Sequence, residues 1–305
     1  MAKPALILVG ADKGGVGKTT VARTLLDYFT AHQVATRAFD TGTPKGTLKR
    51  FHRDVSEIVD VTTVADQMRI IDTLSTTDAS VTVVDVRAGL MSPTLHALRD
   101  IGFLEAVKKG QITFVVFHIL GSSIASLNEI EETAPFTGDA EYFLVKNFIN
   151  NTNFFEWDQA THASYFKKLK DAVVINIPKL NEMAYEQVEL ASVPFLTFVS
   201  NKDLKGETAN YSFVLRGYVR HWLGNVWAAY DRVTLLDLFD TTVEATPAPA
   251  RVRYCFDMRN HSAHPGLAPI TGENLYSFFS DITQIVLKNP KFERNAMIGT
   301  LLGSC

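Results

Sequence analysis

Residues 13–20 read Lys13-Gly14-Gly15-Val16-Gly17-Lys18-Thr19-Thr20 and lie between two segments of opposite periodicity. Before them, residues 5–9 (ALILV) are continuously apolar, the pattern of a strand covered on both faces. After them, Val21, Leu25, Tyr28 and Phe29 fall at spacings of four, three and one, which lays them on one face of a helix. A glycine-rich turn that closes a strand and opens a helix is suited to cradling phosphate. Glycines lack a Cβ and let backbone N–H groups turn inward, and the helix N-terminus adds partial positive charge at the same spot. In such a cradle Gly14, Gly15, Val16, Gly17 and Thr20 surround the phosphates. Lys18 reaches the β and γ oxygens, and Thr19 gives its hydroxyl to Mg²⁺.

The alternation of short apolar runs with helical patterns continues to about residue 200, which predicts repeated βαβ units. Strands are expected at 5–9, 36–40, 81–86, 112–117, 142–146 and 172–177. Helices are expected at 18–32, 64–74, 92–108, 123–132, 158–170, 180–191 and 211–238. The fold class that follows is α/β, a mostly parallel sheet with helices on both faces, plus a small helical C-terminal appendage. Residues 241–250 (TTVEATPAPA) are small, polar and proline-containing, so the division expected is a domain over 1–240, a linker over 241–253 and an appendage over 254–305. An appendage of that size is too small to expect an independent core.

Composition narrows the classes. The 305 residues allow one large domain with an appendage or two medium ones, at roughly 100–200 residues per domain. With 46% hydrophobic and 21% charged residues the chain is an ordinary globular sequence, not a disordered one. Thirty basic against 33 acidic residues leave a net charge of -3, so no global positive field draws it to nucleic acid or anionic lipid. Two cysteines, Cys255 and Cys305, are too few for a disulfide framework or a four-thiolate metal site within one subunit. They fit a reducing, cytoplasmic setting. No apolar stretch approaches the ~20 residues of a membrane span, and no signal peptide is recognisable.

The ordinary phosphate loop begins with glycine five places before its Gly-Lys pair; here that place is Asp12, and a second lysine, Lys13, precedes the double glycine. This deviant Walker A loop closely resembles that of the ParA/MinD ATPases, which include plasmid partition, septum-placement and conjugation-associated proteins. The resemblance covers about residues 4–238. It implies ATP and Mg²⁺ as cofactors, and a homodimer closed by ATP, in which Lys13 reaches the nucleotide of the facing subunit. It also implies non-specific DNA and an accessory partition protein as partners. The run FHILGSSIASLNEI, residues 117–130, looks more like the plasmid stability and conjugal-transfer branch (StbB- or TraL-like) than like MinD. Iron-sulfur relatives are excluded, because their bridging cysteines are absent.

Three strand ends extend the resemblance. Asp40 stands where the family carries an Asp-x-Asp-Pro-type segment, but the second aspartate falls on Gly42 or Thr43. Asp40 is therefore expected either to orient water or hold the metal shell, with slow hydrolysis, or to cap a loop or helix. Asp85 ends VTVVD in the Walker B manner, binding Mg²⁺ commonly through water, and an aspartate there is also an ordinary turn residue. Asn147 and Pro178 match by position the residues that contact and frame adenine in the family, although Asn after a strand is common turn chemistry. The resemblance thus implies a catalytic centre of Lys13, Lys18 and Asp40, with Thr19 and Asp85 on the metal.

Two further features lead elsewhere. Arg259-Asn260-His261-Ser262-Ala263-His264 resembles the motif of HEPN domains, whose Arg and His act on RNA phosphate. The alternative function is therefore a nucleotide-regulated effector with an RNA-acting tail, and a docking appendage or remnant is the plainer reading. Basic residues at 49–53 (KRFHR), at 167–170 (KKLK), and at Arg216, Arg220 and His221 suit either salt-sensitive DNA binding or solvated helix faces. A metabolic amidotransferase or synthetase shares the fold, but no cysteine is placed for a glutaminase.

Overall fold

In the computed structural model, residues 3–121, 124–149 and 173–239 are described. They belong to one compact unit. The expected helix at 158–170, the linker and the appendage, with Arg259 and His264, lie outside these residues.

Seven strands form one parallel sheet. β1 (Ala5–Gly10), β2 (Thr36–Asp40), β3 (Ser56–Ile58), β4 (Val81–Asp85), β5 (Thr113–Leu120), β6 (Glu141–Asn147) and β7 (Val173–Ile177) stand in the order β3-β2-β4-β1-β5-β6-β7. All pairings are parallel. β1, at the centre, is buried along its whole length. Its side chains alternate, Ala5, Ile7 and Val9 entering one core and Leu6 and Leu8 the other. The period of two thus splits one apolar run between two layers.

The first core lies under α1 (Lys18–Ala31), α7 (Glu182–Ala191), α8 (Phe195–Val199) and α9 (Phe213–Arg232). The second lies under α3 (Val64–Ile71), α4 (Met91–Asp100), α5 (Phe103–Lys108) and α6 (Ile124–Thr133). Helices therefore cover both faces, as the fold class predicts. α2 (Thr47–Phe51) is a short turn of helix near the β2–β3 edge. No helix among the described residues is long and apolar enough to cross a membrane.

The differences from expectation have local causes. The helix expected over 92–108 is two, because Gly102 adopts φ 78, a left-handed turn that glycine tolerates and that ends α4 before α5 begins. The helix expected over 211–238 starts at Phe213, where the Ser212 side chain caps Leu215 N–H, and stops at Arg232. A 3₁₀ turn over Leu235–Leu238 follows Thr234 at φ 48. β3 is a three-residue edge strand, too short to show a period.

Candidate phosphate-binding site

The loop leaves β1 at Gly10 and enters α1 at Lys18. Gly17, the N-cap of α1, has φ 87, and no side chain caps the helix, so its first-turn amides are left without a side-chain acceptor. A Cβ on Gly17 would also stand 2.2 Å from Asn147 Nδ2. Both conformation and space therefore require glycine there.

Lys18 is 8% exposed, and its Nζ donates to Lys13 O at 2.6 Å. The ammonium thus bridges the two ends of the loop and stands beside the cradle. Burial lowers its pKa, against the raising influence of Asp85, Glu129 and Asp12. The stem of Lys13 lies over Gly121, where a Cβ would come 3.2 Å from Lys13 Cδ.

Thr19 Oγ1 donates to Asp85 Oδ2 at 2.6 Å, joining the first turn of α1 to the end of β4. Asp85 is paired in register with Asp40 on β2. Burial pushes the Asp85 carboxyl up to about 7, Asp40 adds to the rise, and Thr19 and Lys18 oppose it. A buried carboxylate beside a hydroxyl offers oxygen donors alone. That set suits a small hard cation which keeps waters and shares phosphate oxygens. These residues fit Mg²⁺.

Asp40 is used differently from Asp85. Its Oδ1 accepts Gly42 N–H at 2.8 Å and its Oδ2 accepts Lys49 N–H at 3.0 Å, so the carboxylate closes the loop between β2 and α2. This is the capping role that the sequence leaves open beside the catalytic one. Thr41 ties the same loop to β4, its Oγ1 donating to Asp85 O at 3.2 Å and accepting Arg87 N–H at 2.7 Å.

Asn147, at the end of β6, donates from Nδ2 to Val16 O at 3.1 Å. With Thr20, Pro178, Tyr185 and Trp222 it lines a cavity of about 290 Å³ next to α1. Pro178 is held by Trp222, whose Nε1 donates to its carbonyl at 2.6 Å. A wider cleft of about 590 Å³ lies elsewhere, against His52, Arg53, Ser200 and Lys202, and includes no residue of the glycine loop.

Two residues of the site escape the sequence reading. Glu129, on α6, accepts Asp12 N–H at 2.9 Å; nothing in the chain signals a contact across 117 residues. The Asp12 side chain reaches the start of α4, where Oδ1 accepts Met91 N–H at 2.8 Å. Its unusual place at the head of the loop is the one visible clue.

The basic cluster at 49–53 is spent only in part on contacts within the protein. Lys49 Nζ donates to Arg53 O and Ser56 O, each at 2.5 Å, Arg50 pairs with Glu189, and Phe51 and His52 are buried. Arg216 is buried too, whereas Arg50, Arg53 and His221 stay exposed.

No protein-family model and no curated protein matches the chain. Among solved structures it is similar to a nucleotide-binding protein from Archaeoglobus fulgidus in complex with ADP, at 14% identity and TM-score 0.41, over 61% of this chain and 85% of that one. It is similar to a protein described as a plasmid partition protein from Borrelia burgdorferi B31, bound to AMPPNP, at 13% identity and TM-score 0.42, over 76% and 100%. The signal recognition particle 54 kDa protein from Aeropyrum pernix K1, in complex with GDP, follows at 16% and 0.36, over 77% of this chain and half of that one. The parallel sheet order and the two-lysine glycine loop between β1 and α1 by themselves make this chain an α/β protein of P-loop type.

Proposed function

We propose that the chain binds ATP with Mg²⁺ at the 13–20 loop and acts as an ATP-gated dimeric switch of the ParA/MinD kind, which positions plasmid or chromosomal DNA or another cargo. The observation that carries this reading is the 2.6 Å bond from Thr19 to Asp85, which brings the hydroxyl and the carboxylate of a metal shell together at the mouth of the glycine loop. Mg²⁺ held there supplies charge neutralisation at the phosphate oxygens.

The chain's own groups do the rest. Lys18 exchanges the Lys13 carbonyl for phosphate oxygens, and the uncapped N-terminus of α1 receives anionic charge. Asn147 holds Val16, keeps the loop open toward Thr20, and with Pro178 borders the cavity assigned to the base. Lys13 serves the nucleotide of the second subunit. Its contact exists only in the dimer, so triphosphate favours that state by population shift.

Hydrolysis is slow in this reading. Both oxygens of Asp40 already accept backbone amides, and the second carboxylate of the family pattern is missing. The protein then works as a clamp whose lifetime the slow step sets. An RNA-acting tail rests on Arg259 and His264, and nothing among the described residues favours it.

Sedimentation of wild type and Lys13→Ala with ADP, ATP and a slowly hydrolysed analogue tests the switch. Mass should double with triphosphate in wild type and stay monomeric in the variant. A wild type whose mass ignores triphosphate rules the switch out.

A further inference from the structure

Asp12 uses all three of its polar groups to join the glycine loop to the exit of β4. Its carbonyl accepts Gly89 N–H at 2.9 Å. Its carboxylate accepts Met91 N–H at 2.8 Å and Ser92 N–H at 3.3 and 3.2 Å, and also takes the Ser92 hydroxyl. Its own N–H is held by Glu129 at 2.9 Å. Leu90, the N-cap of α4, has no side-chain oxygen, so the cap of this helix comes from a residue 79 positions earlier. The same Glu129 carboxylate oxygen stands 3.5 Å from His118 Nε2, and His118 Nδ1 bonds Tyr142 OH at 2.5 Å. Glycine loop and β4 exit also run close together: a Cβ added to Gly14 would lie 3.8 Å from Ala88 Cβ.

We propose that Asp12 is a positioning residue that transmits the occupancy of the glycine loop to α4, so that triphosphate is told from diphosphate by the segment 87–92. The inference rests on the nucleotide reading given above and deepens it. A diphosphate fills the cradle behind Lys18. A terminal phosphate projects farther, toward the β4 exit, where Gly89 N–H is engaged by Asp12. Because one residue holds the loop on one side and Gly89, Met91 and Ser92 on the other, a shift of the loop moves the first turn of α4. Glycine at this position, as in the ordinary loop, would leave that turn without its cap. Asp12 contacts no phosphate in this scheme and acts through Gly89 and α4.

Two measurements on the full chain test it: amide exchange over 87–92, and the affinities for ADP and a non-hydrolysed ATP analogue. In Asp12→Ala the Met91 and Ser92 amides should exchange about tenfold faster without nucleotide, the size expected for loss of a helix cap. The ratio of the two affinities should fall about as much, toward unity. Asp12→Asn keeps an acceptor for Met91 and should restore most of both. Ser212→Ala removes a cap of the same kind from α9 and serves as the control for stability alone.

Unchanged exchange and ratio in Asp12→Ala overturn the proposal, and so does an equal fall of the ratio in Ser212→Ala. Should Asp12→Ala fail to fold, Ser92→Ala removes one branch of the contact and must lower the ratio in the same direction. Wild type that binds neither nucleotide removes the nucleotide reading and the coupling together. Wild type that binds both, with discrimination intact in the Asp12 and Ser92 variants, removes the coupling alone.

Discussion

Asp85 is held in a place that costs stability in the nucleotide-free protein. Its carboxyl rises from 3.8 to about 7, through burial first and Asp40 second. Between those values the native chain keeps a proton that the unfolded chain has released. Its stabilising contribution is therefore complete below the lower value and is lost as pH rises through the upper one. Asp85→Asn carries no such charge, so at about pH 8 it should be more stable than wild type by on the order of 2 kcal/mol, and near pH 4 about equal. Saturating ATP with Mg²⁺ should reverse the order at pH 8, because only wild type gains binding energy. Thermal unfolding at both pH values, with and without nucleotide, reads all these terms. Gly17→Ala is the companion test of backbone demand. A left-handed φ and a Cβ 2.2 Å from Asn147 should cost about 1–3 kcal/mol and abolish nucleotide binding, seen in denaturation and dialysis respectively. Lys18, Thr19 and the glycines are legible from sequence because each stands next to the others along the chain. Glu129 is not, because it meets Asp12 only after β1 and α6 have been packed together.

Between elements, α1 is fastened to α7 by an ion pair that is buried on the Arg23 side and half-exposed on the Glu189 side. Arg23 is 1% exposed, its Nη1 meets Glu189 Oε1 at 2.6 Å, and its guanidinium lies 3.4 Å from the Phe51 ring centroid and 4.1 Å from that of Phe195. Its Nε and Nη2 find no hydrogen-bond partner among the described residues. Removing the carboxylate leaves the guanidinium with aromatic faces and the Asp27 carboxyl, which forms no hydrogen bond to it. Glu189→Ala should therefore lose about 3 kcal/mol in urea denaturation, and the double variant with Arg23→Met should recover most of it. The helices themselves were foreseeable from apolar spacing, but their ends were not. Gly102 splits one expected helix, and Ser212 sets the start of α9, by turn geometry that hydrophobic periodicity does not encode.

For the whole molecule, buried titrating groups set the pH response. Asp27 is pushed up to about 7 by burial, despite Arg23 and the amides of Leu196 and Phe195. It loses its contribution as pH rises, in the same sense as Asp85. His52 is pushed down to about 3 by burial and then by Arg23, so its contribution is present above 6.5 and lost as pH falls toward 3. From about pH 4 to 6.5 two carboxyls thus oppose one imidazole, a net change of about one proton, or roughly 1.4 kcal/mol per pH unit at most. Without nucleotide, urea midpoints should be lower at pH 8 than at pH 5, and Asp27→Asn should flatten that fall. By itself the sequence determined the α/β class and the glycine loop with its two lysines. It also placed the aspartates at the strand ends, because strand period and loop chemistry are written in neighbouring residues. The packing of the sheet settles that Asp40 closes a loop and that Phe51 and His52 turn inward. It alone brought Asp12, Glu129 and α4 together, since each of these depends on which distant groups the parallel sheet sets side by side.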